Sequence, residues 1–433
     1  MKPLVKSLIT NYLWLEKKGL AHPDVLLDQL SSPELRINKK QFISFCSNNY
    51  LGLSTRQEVL TAGSDALLKH SNATSESRRL GGNLYLLEEL EDVISAYKEK
   101  EDTMLFATGL LANVGVIPAI TDVTYYMNLF YKKQLPKQKI VILGDQLNHR
   151  SIQLGIKLSK ADFVKYRHCD MHDLEEKLET HKKDHLFIIT DSIFSMDGDL
   201  APLDHIAALA TKYKAAVMID DAHGTGVYGK RGRGVAEHFG VSDAIDFSMG
   251  TLSKSFGGLG GFVSGKKEVI AMLKQTTSTY YFTSSLPASS AAGLIAAIKI
   301  AESEVALREK LWKNVQRMLK GLFDLGLIVP LRFSQIIPIM LYDEKKAYTV
   351  ETFLYNRGIL CNAVTVPAVA PGKARLRISI NATHTAKDID LFLEGMQDAI
   401  KKCRLSVNKR ETAEWDAFIN TAPEYIVELL NIV

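Results

Sequence analysis

Short apolar runs alternate with stretches of helical periodicity from about residue 103 to residue 265. The runs at 103–106, 139–143, 163–166, 186–190, 216–219, 247–250 and 260–264 are too short for helices and read as buried strands. Strands separated by amphipathic helices predict an α/β fold with a mostly parallel sheet covered by helices. Upstream, 42–45 reads as a strand followed by the turn Ser47-Asn48-Asn49-Tyr50-Leu51-Gly52, and 57–70 and 86–100 carry helical periodicity. Downstream of Pro287, a long helical stretch (288–325) leads into a second α/β unit with strands near 336–341 and 374–380 and a last helix at 388–401. Residues 23–40 read as a loop or arm, and 411–433 as an appended tail. The expected division is an N-terminal arm (1–60), a large domain (61–290), a smaller C-terminal domain (291–405) and a tail (406–433).

Composition narrows this picture without redirecting it. The chain has 433 residues, 46% hydrophobic and 24% charged, which is ordinary for a globular protein of two or three domains. A net charge of +4 spread along the chain gives no basic patch for nucleic acid. Cys46, Cys169, Cys361 and Cys403 lack the spacing of a metal site, so reduced thiols and a cytoplasmic location are expected, with no metal. No apolar run approaches the ~20 residues of a membrane span. Residues 1–15 have some amphipathic character but lack the apolar core of a signal peptide.

The chemistry concentrates at two places. In Met249-Gly250-Thr251-Leu252-Ser253-Lys254-Ser255-Phe256-Gly257-Gly258, an apolar run ends in hydroxyls, one lysine and glycines. A lysine partly desolvated at a strand end has a lowered pKa and a free amine for Schiff-base chemistry. The hydroxyls and glycine amides beside it can hold a phosphate. Taken alone, the run also fits a surface lysine in a Gly/Ser loop. About thirty residues upstream, Ala216-Val217-Met218-Ile219-Asp220-Asp221-Ala222-His223-Gly224 places a carboxylate at the C-terminal end of a strand, where open α/β sheets bind ligands. A carboxylate there can keep a pyridinium nitrogen protonated. His223 is placed to reach the opposite edge of the same ring.

Together these runs resemble the α-oxoamine synthases, which join an amino acid to an acyl-CoA with loss of carbon dioxide. The likeness spans about residues 42–399. Its motifs are Asn48-Asn49-Tyr50-Leu51-Gly52, Thr108-Gly109-Leu110-Leu111-Ala112-Asn113, Phe194-Ser195-Met196-Asp197-Gly198-Asp199, Asp220 to Gly224, Thr251 to Lys254, Phe282-Thr283-Ser284-Ser285-Leu286-Pro287 and Arg375-Leu376-Arg377. The resemblance implies a fold-type I transferase dependent on pyridoxal 5'-phosphate, working as a homodimer with shared active sites. Its substrates would be a small amino acid and an acyl thioester carried on CoA or a carrier protein.

The same resemblance implies roles by position. Lys254, His149, Asp220 and His223 form the catalytic set, with Lys254 linking to the cofactor aldehyde. His149 would stack on the ring, Asp220 face its nitrogen, and Ser195 and His223 its phenolic oxygen. Backbone N–H groups of Gly109 and Leu110, with Thr251 and Ser253, would hold the phosphate, and Ser284 the phosphate of the neighbouring subunit. Arg377 would clamp the substrate carboxylate bidentately, and Asn48 would help position substrate.

Several positions depart from the family pattern. Leu87 replaces a usual histidine, Glu76 adds a charge near the expected acyl entrance, and Asp191 stands for a usual glutamate. An insertion near 122–138 carries Tyr125, Tyr126, Met127, Leu129, Phe130 and Tyr131, and fits an acyl channel, a surface that touches a membrane or carrier protein, or a segment packed on its own domain. Two other classes stay open: a catalytically inactive regulatory partner, and a plain aminotransferase.

Overall fold

The computed structural model describes residues 1–17, 25–31, 33–136 and 138–430. Its centre is a seven-stranded sheet in the order Asp102–Phe106, Gly261–Gly265, Phe247–Thr251, Ala216–Asp220, His185–Asp191, Ile140–Asp145, Asp162–Tyr166. Gly261–Gly265 runs antiparallel to both neighbours and the other pairings are parallel. All seven strands fall where the apolar runs predict them.

Alternation along the strands explains why both faces are covered. Successive side chains point to opposite sides of a sheet. Val141, Leu143, Ile188, Val217 and Ile219 enter one apolar cluster. Ile142, Phe187, Ile189 and Met218 enter a second, against Ala112, Val116 and Ile117 of the helix Gly109–Thr121. Each of these buried aliphatic side chains contributes about 1.5–3 kcal/mol through removal from water. Because polar residues would be costly on either face, they collect at the strand ends, and the C-terminal ends of the parallel strands carry the site.

A second sheet of three antiparallel strands, Ile336–Tyr342, Ala374–Ser379 and Asn362–Val364, is flanked by the helices Glu344–Tyr355 and Ala386–Lys402. The last helix opens on a capping box between Thr385 and Asp388. The helical stretch expected over 288–325 is two helices, Ala288–Ser303 and Val305–Asp324, parted at Glu304. The apolar pattern continues across the break, so periodicity alone reads as one helix. At the break Glu304 leaves helical geometry and its carboxylate takes Arg56 at 2.7 Å.

The N-terminal region is more regular than an arm. Gln29–Ser31, Glu34–Ile37 and Lys40–Ser44 pair as strands, and Ile359–Leu360 adds to them in parallel, joining this region to the C-terminal unit. Residues 23, 24 and 32 of the expected loop lie outside the described residues. The helix Pro3–Lys17 precedes it with no buried residue.

The segment after residue 406 also folds. Helices Thr412–Ile419 and Glu424–Leu430 bury Trp415, Phe418 and Ile426. Phe418 stacks on Phe333 at 4.7 Å between ring centroids, and Trp415 meets Phe323 at 5.6 Å. Rather than hanging from the last helix, this segment closes the same core as Leu322 and Phe323. Residues 431–433 lie outside the described residues. Replacing Trp415 by alanine is expected to cost about 3 kcal/mol through loss of buried area and the cavity left behind. A fall of several degrees in the unfolding temperature is the expected reading, and an unchanged one would show the segment to be dispensable.

Candidate active site

Loops at the C-terminal ends of the central strands converge on one cavity of about 240 Å³. Its walls include Gly109, Leu110, His149, Asp191, Ser195, Asp220, His223, Thr251, Ser253 and Lys254. A wider cleft of about 740 Å³ opens beside it, sharing His149, Ser195, His223 and Lys254 and adding Asn48 and Arg377. Eleven of the residues singled out from the sequence therefore line two joined spaces. The twelfth, Ser284, does not reach either cavity of its own chain; it bridges to Ser77 and lines a separate pocket.

Lys254 sits in the turn between two antiparallel strands, with its Nζ 2.9 Å from His223 Nε2. Its partner is thus an imidazole and not the adjacent hydroxyls. Ser255 donates to Thr225 O at 2.7 Å and Ser253 pairs with Thr251 at 2.9 Å, so both hydroxyls are engaged elsewhere. Burial lowers the amine to about 8, against the opposing pull of Asp220 and Asp191.

His223 lies between Lys254 and Tyr50, whose hydroxyl is 2.7 Å from Nδ1. That hydroxyl donates to Asn48 Oδ1 at 3.0 Å, so it accepts from Nδ1 and leaves Nε2 as the acceptor facing the lysine. Burial, reinforced by the charges of Lys254 and Arg377, holds this imidazole neutral.

Asp220 ends its strand with Oδ1 accepting from the Ala222 N–H at 3.1 Å and Oδ2 accepting from Asn113 Nδ2 at 2.7 Å. The same amide donates to Ser151 Oγ at 2.9 Å, and Ser151 Oγ lies 2.7 Å from His149 Nδ1. Because the Ser151 N–H also points at Nδ1, at 3.2 Å, that nitrogen is the acceptor and the His149 ring is neutral, as its burial also favours. The backbone N–H of His149 donates to Asp191 Oδ2 at 2.6 Å. Burial first, and then the neighbouring Asp220, push Asp191 well above the usual carboxylate range.

At the opposite wall the helix Gly109–Thr121 begins, with Thr108 accepting from the Leu111 N–H at 3.2 Å. The first N–H groups of a helix lack internal acceptors and form an anion site. A side chain at Gly109 would press on Met249 and Thr251, at 3.1 and 3.2 Å from an added Cβ, so the backbone there is kept open beside the Thr251 hydroxyl. Arg377 is buried, donating to Ser195 O (2.5 Å), Ser379 Oγ (3.0 Å) and Asn48 Oδ1 (3.3 Å).

Four participants escaped the reading of the sequence as site residues: Asn113, Ser151, Tyr50 and Asp191. Asn113, itself fully buried, carried a signal as the lone amide in an otherwise largely apolar helix. Asp191, at the end of the apolar strand His185–Asp191, carried another. Among the departures, Leu87 is a core residue with no exposed surface, and Glu76 is an exposed carboxylate accepting from the Ser77 N–H at 2.9 Å. The insertion forms the helix Val123–Tyr131, whose Tyr125, Tyr126 and Phe130 line a groove with Pro118, Leu158 and Thr279. That groove shares no residue with the cofactor cavity, so the described part of the insertion packs on its own domain; residue 137 lies outside the described residues.

A cation-seeking carboxylate, an amine of lowered pKa, two neutral imidazoles and an anion-binding helix start make a site for a phosphorylated aromatic aldehyde. The aminotransferase class I and II family matches residues 40–396. The chain belongs to that family and, within it, to the α-oxoamine synthases. It is 38% identical to the 8-amino-7-oxononanoate synthase of Petrotoga mobilis over 88% of this chain and 93% of that one. It is 40% identical to the enzyme of the same name from Thermosipho melanesiensis, over 86% and 93%. The serine palmitoyltransferase of Sphingomonas wittichii superposes with a TM-score of 0.85 at 31% identity, over 93% of this chain and 99% of that one. A serine palmitoyltransferase solved with pyridoxal phosphate gives 0.86 at 31% identity, over 94% and 100%. The chain is a pyridoxal-phosphate-dependent acyltransferase of fold-type I. No single helix among the described residues is long and apolar enough to cross a membrane. One bent pair, Gly109–Thr121 with Val123–Tyr131, passes on length and composition.

Because Lys254 loses its proton near pH 8, capture of the cofactor aldehyde by the apoprotein should accelerate about tenfold per pH unit below that value and level off above pH 9. Stopped-flow absorbance at a series of pH values reads this directly. A rate still climbing steeply at pH 10 would mean an ordinary, solvated lysine.

Proposed function

We propose that the chain condenses L-alanine with a pimeloyl thioester, losing carbon dioxide and releasing an α-aminoketone, as the name of its 8-amino-7-oxononanoate synthase relatives suggests. The observation that carries this reading is the junction of the two spaces at Lys254, with the cofactor residues on one side and Arg377 on the other. Pyridoxal phosphate, when bound, supplies an aldehyde for the amino group and a ring that accepts electrons from the α-carbon.

The protein's own groups then have definite tasks. Gly109, Leu110, Thr251 and Ser253 hold the phosphate, joined by Ser284 from the neighbouring subunit of a homodimer. Asp220 keeps a proton on the ring nitrogen, its own position fixed by Asn113. His149 would lie against the ring, and Ser195 and His223 would meet its phenolic oxygen. Arg377, with Asn48 accepting from it, receives the substrate carboxylate through its guanidinium. Freed from the cofactor aldehyde, Lys254 takes the α-proton as general base, and its lowered pKa suits that exchange near neutrality. The bond from the α-carbon to the acyl carbon would form as the thioester C–S bond breaks, the carboxylate held by Arg377 would be lost as carbon dioxide, and Lys254 would return its proton to the α-carbon.

One observation favours a second acyl group. The wide cleft is walled by Leu15, Met196, Tyr348, Val364, Val366 and Pro367, and its only cations among the described residues are Lys254 and Arg377. Both are committed to the amino acid and its cofactor, so an acyl chain ending in a carboxylate meets hydroxyls and amides there (Tyr348, Thr365, Asn362) but no further cation. An uncharged, longer chain, as in serine palmitoyltransferase, fits such walls better.

A matrix of alanine, serine and glycine against pimeloyl-CoA and fatty acyl-CoAs of rising length decides between them, with released CoA as the readout. Turnover with pimeloyl-CoA and alanine supports the first reading, and turnover only with long uncharged chains supports the second. An oxo acid in place of CoA would make the protein an aminotransferase. Absence of any turnover by cofactor-loaded protein would leave the regulatory-partner reading. Arg377→Lys should raise KM for the amino acid by about tenfold or more, since an ammonium cannot reproduce a bidentate grip.

A further inference from the structure

Beneath the cofactor cavity, His168 lies between two carboxylates. Its Nδ1 is 3.1 Å from Asp145 Oδ1, and its Nε2 is 2.6 Å from Asp199 Oδ2. The ring also rests edge-on against Phe194, with centroids 4.4 Å apart. The other groups facing this cluster are Cys169, whose N–H donates to Asp145 Oδ2 at 2.8 Å, and Arg332, 3.6 Å from Asp199 Oδ1.

Each carboxylate belongs to a different active-site loop. Asp145 ends its strand and accepts from the Leu147 N–H at 2.8 Å, which shapes the turn leading to His149. Asp199 closes the turn that carries Ser195: its carbonyl accepts from the Phe194 N–H at 3.0 Å. Ser195 O in turn accepts from Arg377 Nε. No hydrogen bond among the described residues links the 145–149 turn to the 194–199 turn directly, and His168 spans them. We propose that His168 is a positioning residue that fixes the loop bearing His149 against the loop bearing Ser195, and so sets the width of the cofactor slot. The proposal rests on the reading of those two side chains as cofactor contacts.

The chemistry suits a permanent clamp. Burial opposes the charge, but hydrogen bonds to Asp145 and Asp199 overcome it and push the imidazolium up to about 12. A ring that keeps both protons donates to both loops at once and has no lone pair left for a metal ion. Two charge-assisted hydrogen bonds, partly screened from water, hold more firmly than neutral ones. A neutral side chain of similar reach would leave two neighbouring carboxylates without their shared cation.

The test compares cofactor-loaded wild type with His168→Gln, Asp199→Asn and, as a remote destabilised control, Trp415→Ala. Readouts are the cofactor dissociation constant and the visible circular dichroism of the bound cofactor, beside the unfolding temperature. His168→Gln and Asp199→Asn should each weaken cofactor binding by about tenfold and reduce the dichroism, while Trp415→Ala leaves both unchanged despite its lower unfolding temperature. Asp199→Asn keeps the Asp145 turn intact, so it remains informative should His168→Gln fold poorly. Cofactor affinity within twofold of wild type in both clamp variants overturns the inference. So does equal weakening in Trp415→Ala, which would make the effect one of general stability. His149→Ala and Ser195→Ala test the underlying reading separately: if neither alters cofactor binding, it is that reading which fails.

Discussion

Two acids side by side set the terms of this site. Asp191 and Asp220 end adjacent parallel strands and pair in register, both almost wholly buried. Neighbouring carboxylates in a low-dielectric interior resist ionising together. Here the tension is divided. Asp191 is pushed up in pKa and holds the His149 backbone, while Asp220 is braced by an amide and a backbone N–H and faces the cavity. No lysine or arginine forms a described salt bridge with Asp220, so a cation arriving from outside completes it. A protonated pyridine ring is such a cation. The neutral states of His149 and His223 come from burial, which for His149 outweighs the pull of Asp220.

Around that pair the structure grows outward in hydrogen-bonded steps. Asn113 links Asp220 to Ser151, Ser151 meets His149, and His149 returns to Asp191. On the far side Lys254, His223, Tyr50 and Asn48 form a second chain that ends at Arg377. The first network lies wholly on the large sheet and its helices. The second draws in the N-terminal turn and the smaller sheet, so the cofactor half and the substrate half rest on different parts of the fold.

Much of this was legible in the chain. The seven central strands stood out because strands buried on both faces are unbroken apolar runs bounded by polar turns. Lys254, Asp220 and His223 stood out because they interrupt such runs with groups that are costly to bury without purpose. What stayed hidden depends on distance in sequence. Asn113 reaches Asp220 across 107 residues, and His168 joins Asp145 to Asp199, and no local pattern encodes such partners. The break at Glu304 was invisible because apolar spacing continues through it. The C-terminal helices were missed as part of the core because an acidic, aromatic segment reads as a tail until Phe333 and Phe323 are seen to receive it.

The hydrogen bond from Arg377 to Asn48 spans 329 residues of chain, whereas Lys254 is held by a turn between adjacent strands. Closing so long a loop is entropically unfavourable and comes late in folding, while a short connection between adjacent strands forms locally and early. During synthesis the lysine can therefore be in place while the arginine is still missing from the emerging polypeptide. The cleft that Arg377 lines is thus completed only when segments 329 residues apart have come together, a requirement that the Lys254 connection does not share.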